Sequence, residues 1–203
     1  MQTSELRVVD IGMPKDLTPL VDAWLTAETK LVVWDFDQTV LRCHAFAQGV
    51  EPSHVSARWK KDVADLETFR SFVGAAQRRG IALGIASFGR SDVITAYMKQ
   101  IAPGAFSDAS IVTPSSLGSA TARLFGLSKY SDGMSVEDGK PQMLQLLCKR
   151  NNVSPGGVLF FDDDADNVAR CKAAGFARSF HTPAGFSART LEKLAGESRC
   201  AIL

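Results

Sequence analysis

The stretch LVVWDFDQTVL, residues 31–41, decides the fold. Leu31, Val32, Val33 and Trp34 form an apolar run too short for a helix and rich in β-formers. A run that is apolar at every position, without alternation, is what a strand covered on both faces requires. It stops at two aspartates one residue apart, Asp35 and Asp37. Two carboxylates there are either a solvated strand end or the place where chemistry happens, and the rest of the chain decides which.

Working outward, the same kind of run recurs. IALGIA (81–86) leads into Ser87, residues 110–113 suggest a short strand, VLFF (158–161) ends in Asp162, Asp163 and Asp164, and FARSF (176–180) reads as a further strand. Helical patterns lie between them. Thr18 is placed as an N-cap with Pro19 at the first helical position, followed by Leu20, Val21, Trp24 and Leu25 on one face. DVADLETFRSFVGAAQRR (62–79) puts Leu66, Phe69, Phe72, Val73 and Ala76 on one face, with Gly80 as its C′ residue. A helix beginning at Ser91 turns Val93, Ile94, Tyr97, Met98 and Ile101 inward, and three more are read in 143–152, 164–175 and 187–196. Residues 41–61 read as irregular, and the Ser/Gly-rich residues 114–139 as a long loop of the lid type. Apolar strands alternating with amphipathic helices specify an α/β fold: a three-layer, Rossmann-like parallel sheet with helices on both faces. Ligands in such sheets bind at the carboxyl ends of the strands.

The 203 residues suit one domain, 1–203, with an N-terminal arm and helix over 1–30. The 23 basic and 22 acidic residues nearly cancel, so no electrostatic case for nucleic acid exists. Cys43, Cys148, Cys171 and Cys200 are scattered, without metal-ligand spacing, and read as reduced thiols. The N-terminus MQTSELRVVDIG has no signal-peptide pattern, so a cytoplasmic protein is expected. Cys200-Ala201-Ile202-Leu203 fits a prenylation box, and a membrane becomes a partner only if Cys200 carries a lipid. No polybasic stretch precedes it, and the bland reading is an apolar tail that contains a cysteine.

The strand ends bring one set of groups together: Asp35 and Asp37, Ser87, the acidic run 162–164, and Lys140 at the start of the helix before that run. Converging carboxylates repel one another, and a hard cation relieves them. Mg2+ takes one or two carboxylates, several waters and a phosphate oxygen. A phosphate bound there would also meet the Ser87 hydroxyl and the Lys140 ammonium, which makes the set a phosphoryl-transfer site by composition.

These residues resemble the haloacid dehalogenase superfamily in its phosphatase branch. Asp35-Phe36-Asp37-Gln38-Thr39 matches its first motif, DxDx(T/V); Ser87 matches the second, Lys140 the third, and Asp162-Asp163 with Asn167 the fourth, over roughly residues 30–185. The resemblance implies a Mg2+-dependent phosphomonoester hydrolase acting on a phosphorylated small metabolite or phosphoprotein. Asp35 would be the nucleophile that forms an aspartyl-phosphate, and Asp37 the acid and then the base. Ser87, with Phe88 and Gly89 after it, would contact substrate, and Lys140 would neutralise charge. Arg90, three residues after Ser87, is a candidate contact for a substrate phosphate or acid group against a structural reading. The metal would be held by Asp35, the Asp37 carbonyl and Asp163, with Asp162 and Asn167 in support. Dehalogenases proper lack the second carboxylate. Gln38 departs from the glycine many members have, and Asp164 and Asp166 are read as first-turn helix residues suited to the macrodipole. His44, in the segment the family uses as a flap over the site, is a candidate leaving-group contact against a structural reading. Roughly 50 residues separate Asp35 from Ser87 and again Ser87 from Lys140, too few for a folded cap. The other readings are a phosphotransferase or mutase with the same intermediate, and a non-catalytic binding protein on the same scaffold.

Overall fold

The computed structural model describes residues 16–117 and 139–200, without the side chains of 117 and 198–200. The arm over 1–15, most of the expected lid loop, the side chain of Cys200 and the Ala201-Ile202-Leu203 that completes its box lie outside the described residues. The strands are β1 (Leu31–Trp34), β2 (Ala82–Ala86), β3 (Ile111–Val112), β4 (Val158–Asp162) and β5 (Ser179–His181). They pair in the order β3-β2-β1-β4-β5, every pairing parallel. The run Leu31–Trp34 is therefore the central strand. Trp34 stands opposite Ile85 and Phe161, so Asp35, Ala86 and Asp162 stand at one level at the carboxyl edge of the sheet.

Each central strand serves two cores. Val32, Trp34, Leu83, Ile85, Leu159 and Phe161 face one side. There they meet α1 (Thr18–Trp24), α2 (Val55–Asp62), α3 (Leu66–Arg78), α4 (Ser91–Ile101) and α7 (Ala188–Cys200). Leu31, Val33, Val158 and Phe160 face the other side, under α5 (Gly139–Asn151) and α6 (Ala165–Ala173). Burial on both faces is why the strands are apolar at every position. The first core is aromatic: Trp34 lies edge-on to Phe69 at 5.1 Å and Phe186 at 5.7 Å, and Phe161 meets Phe186 at 4.9 Å. Such ring pairs contribute about 0.5–1.5 kcal/mol each beyond the area they bury.

A glycine sets the position of α5. A Cβ on Gly84 would lie 2.9 Å from Leu147 Cδ1, so the bare backbone of β2 lets α5 close on the sheet. The second residue of α5 is Lys140.

Several local expectations are corrected. Residues 41–61 are not wholly irregular, since they hold a short 3-10 turn, Pro52–His54, and most of α2. That helix buries only Val55 and Asp62, so it carries no apolar stripe for periodicity to detect. Asp62 ends α2 and does not open the next helix, whose N-cap is Asp65, accepting from the Thr68 N–H. Thr18 is the first residue of α1, and Leu17 precedes it without a side-chain cap. The strand expected at 176–180 begins only at Ser179, because Phe176 is committed to the second core from a turn and its N–H donates to Cys171 O. Gly80 does take the left-handed conformation of a C′ residue, at φ 66°. Among the described residues, no helix is long and apolar enough to cross a membrane.

Candidate active site

The carboxyl ends of β1, β2 and β4 open into a cleft of about 390 Å³. Asp35, Asp37, Ser87, Phe88, Gly89, Lys140, Asp163 and Asn167 line it, so most of the residues expected from the sequence share one space.

Asp35 follows β1 directly, and its N–H donates to Phe161 O at 2.8 Å, which continues the β4 pairing one residue beyond the strand. Lys140, 1% exposed, donates from Nζ to Asp35 Oδ1 and to Ala86 O at 2.7 Å, and its Nζ lies 3.2 Å from Asp162 Oδ2. The same nitrogen sits 5.1 Å from the centroid of the Phe88 ring, a cation–π contact. Burial works against the charge on Lys140, but Asp162 and Asp35 outweigh it and hold its pKa above the usual lysine value. Burial pushes the Asp35 carboxyl well above the ordinary carboxylate range; Lys140 opposes that, and Asp162 adds to it.

Asp37 sits in the turn after β1, its Oδ1 accepting from the Ala45 N–H at 2.8 Å and its Oδ2 3.1 Å from His44 Nδ1. Burial raises its pKa, with the Ala45 N–H and His44 opposing. The flap segment therefore folds back onto the second aspartate. His44 is half exposed there and touches Asp37 directly.

Ser87 is buried and its Oγ accepts from the Gly89 N–H at 3.1 Å, which leaves the hydroxyl hydrogen free for another acceptor. A Cβ on Gly89 would lie 3.4 Å from Ser87 Oγ and 3.7 Å from Asp37 Oδ2, ordinary contact distances, so Gly89 borders both groups. Arg90 does not line the cleft. Its guanidinium is held by Glu51 and Asp92, each at 2.6 Å.

The acidic run divides its labour. Asp162 is fully buried, its Oδ1 accepting from the Asp164 N–H at 2.9 Å and Asn167 Nδ2 at 3.2 Å, while its Oδ2 faces Lys140; it does not line the cleft. Asp164 is the N-cap of α6, accepting from the Asp166 and Asn167 N–H groups. Asp163 faces the cleft, Oδ1 accepting from Thr39 Oγ1 at 3.2 Å, and its carbonyl oxygen accepts from His181 Nε2 at 2.9 Å. Burial and the Asp162 charge raise the Asp163 pKa. The sequence alone assigns neither Thr39 nor His181 a contact with Asp163. Thr39 was visible only as a motif letter, and His181 ends a strand beside Asp162, which was a usable signal.

Among the described residues, no three His, Cys, Asp or Glu side chains form a metal cage. Mg2+ does not need one, because one or two carboxylates, water and a substrate oxygen complete its shell. Asp35, Asp37 and Asp163 present carboxylate oxygens to the cleft, beside the imidazole of His44. Burial raises the pKa of all three carboxylates, and a hard cation suits such a set of buried carboxylate oxygens.

No protein-family model matches the chain, and no curated protein matches it. Among solved structures, a dehalogenase is similar at 15% identity over 77% of this chain and 86% of its own, with a TM-score of 0.45. A hypothetical protein from Xanthomonas campestris is similar at 14% identity over 84% of this chain and 69% of its own, with a TM-score of 0.39. Neither likeness bears on the chemistry, which rests on the chain's own residues.

Proposed function

We propose that the protein is a Mg2+-dependent phosphomonoester hydrolase of the haloacid dehalogenase type, acting through an aspartyl-phosphate on Asp35. One observation carries the reading: a buried ammonium, Lys140, bonded to Asp35 and backed by Asp162, in a cleft that also takes in Asp37 and Ser87.

The Ser87 hydroxyl binds a phosphoryl oxygen, and the Lys140 ammonium, held by Asp35, Asp162 and Ala86 O, offsets the negative charge beside it. Asp35 attacks phosphorus through the oxygen that Lys140 does not hold. Asp37, its pKa raised by burial, carries the proton that the leaving oxygen needs. In the second half-reaction Asp37 takes a proton from the water that attacks the aspartyl-phosphate. Mg2+, held by Asp35, the Asp37 carbonyl and Asp163, would draw charge from the phosphoryl oxygens. Asp162 and Asn167 position Lys140 and the turn before α6. Asp37 also favours an oxygen leaving group over a halide, because a halide departs without a proton and an alkoxide does not.

The test is phosphate release from 4-nitrophenyl phosphate with Mg2+ and with chelator, using Asp35→Asn as control. Metal-dependent turnover abolished in the variant is the expected result. Turnover that survives Asp35→Asn rejects the nucleophile. Ester consumed without matching free phosphate would point instead to transfer onto an alcohol.

A further inference from the structure

Beside the cleft lies a second, smaller space of about 140 Å³. Phe36, Val50, Val93 and Ile94 wall it, all buried and all apolar. Asp37, Phe46 and Gly89 line both spaces, so the two meet at the carboxylate that the hydrolase reading makes the general acid. Phe46 is 59% exposed, the one large hydrophobic side chain left open to solvent among the described residues. An exposed aromatic at the junction of a polar cleft and an apolar recess has no packing reason to be there.

We infer that this recess is the leaving-group subsite, and that the substrate is a phosphate monoester whose bridging oxygen carries a neutral aromatic ring. The inference rests on the hydrolase reading for its placement. If Asp37 protonates the bridging oxygen, the group attached to that oxygen continues past Asp37, away from Lys140, and the recess is the space it enters. Size selects the ring: an apolar cavity of about 150 Å³ holds one benzene, and a nucleoside is too large. Chemistry excludes sugars and glycerol, because their hydroxyl groups would be buried against Val50, Val93 and Ile94 without partners. Charge excludes a second acidic group, because Arg90 at the wall is already held by Glu51 and Asp92. Phe46 would close over the ring edge.

The test measures binding, so it does not depend on turnover. Benzylphosphonate, which places a methylene where phenyl phosphate has its bridging oxygen, is compared by calorimetry with methylphosphonate, Mg2+ present. The wild-type protein should bind the benzyl compound at least about tenfold more tightly, the gain expected for burying one ring. Phe46→Ala removes the exposed wall at a surface position, and Val93→Phe fills the recess. Each should reduce that ratio to about threefold or less. Equal affinity in the wild type, or a ratio unchanged in both variants, overturns the subsite. A retained ratio with no turnover of phenyl phosphate rejects the hydrolase reading and leaves the subsite standing; turnover with a ratio near one does the reverse. A short phosphotyrosyl peptide, assayed beside phenyl phosphate, shows whether the ring arrives on a polypeptide or free, and preference for either over glycerol phosphate supports the assignment.

Discussion

The Lys140 ammonium is shared by Asp35 and Asp162, with Ala86 O accepting its third bond at 2.7 Å. One cation thus neutralises two buried carboxylates carried on two strands. Replacing Lys140 with Met leaves both unpaired, and breaking a buried pair from one side costs about 3–5 kcal/mol. Guanidinium denaturation of Lys140→Met should show a loss of that order. Adding Asp162→Asn should recover part of it, because one orphaned charge is removed. A single variant within about 1 kcal/mol of wild type would mean that the three groups do not form a buried ion cluster.

Asp37 is retained at a cost to stability. Burial raises its pKa above the ordinary 3.8, so the folded state holds the proton more tightly than the unfolded chain. The stability linked to that proton is fully present below the unfolded pKa and is lost as pH rises through the folded value. Asp37→Asn, which can still accept from the Ala45 N–H, should therefore be more stable than wild type by about 0.5–2 kcal/mol near pH 8. Near pH 4 the advantage should shrink, since the wild-type carboxyl then keeps more of its proton. Thermal unfolding at both pH values checks the sign, and the same variant should lose phosphate release.

Asp35 and Asp163 shift in the same direction as Asp37. A cation bound among them competes with their protons. Mg2+ should accordingly raise the melting temperature more near pH 8 than near pH 5, and chelator should reverse the gain. A shift of equal size at both pH values would place the metal away from these carboxylates.

Away from the cleft, Asp62 at the end of α2 is 4% exposed and accepts from Tyr97 Oη at 2.5 Å and from Arg58, whose other nitrogen reaches Gln48 Oε1 at 2.6 Å. The network ties the segment carrying His44 and Phe46 to α4, the helix that follows Ser87. Tyr97→Phe leaves a buried carboxylate short of one donor, which costs about 1–3 kcal/mol. Urea denaturation measures it. An unchanged midpoint would show that the hydroxyl contributes nothing there.

What the sequence made legible follows from geometry. LVVW and VLFF are central strands buried on both faces, which leaves a continuous apolar signature, and their ends place Asp35 and Asp162 at one level. Lys140 was legible only through its order among the motifs, since nothing local marks a lysine that will be buried. The flap was placed only by the family resemblance, and its internal structure was not legible. α2 buries too little apolar surface to show a period, and the contact of His44 with Asp37 depends on a loop return that no local pattern encodes. The recess beside Asp37 was hidden for the same reason. Its walls come from the turn after β1, the flap and α4, elements that only the folded chain brings together.

The turn after Asp37 carries the last prediction. Gln38 is held at φ 62°, the left-handed region in which a side chain costs about 1–2 kcal/mol. Its N–H donates to Cys43 O at 3.1 Å, and the neighbouring Thr39 O accepts from the Phe186 N–H at 2.8 Å, so the conformation is fixed from both sides. Gln38→Gly removes the strain but gives the unfolded chain more freedom, worth about 0.5–1 kcal/mol in the other direction. The net expectation is a gain of up to about 1 kcal/mol, with phosphate release retained because no reacting group moves. Gln38→Val should do the opposite, since a β-branched residue is least compatible with positive φ. The pair is diagnostic: equal stability for Gly and Val at this position would mean that the turn relaxes out of the left-handed region and that Asp37 is not rigidly presented to the cleft.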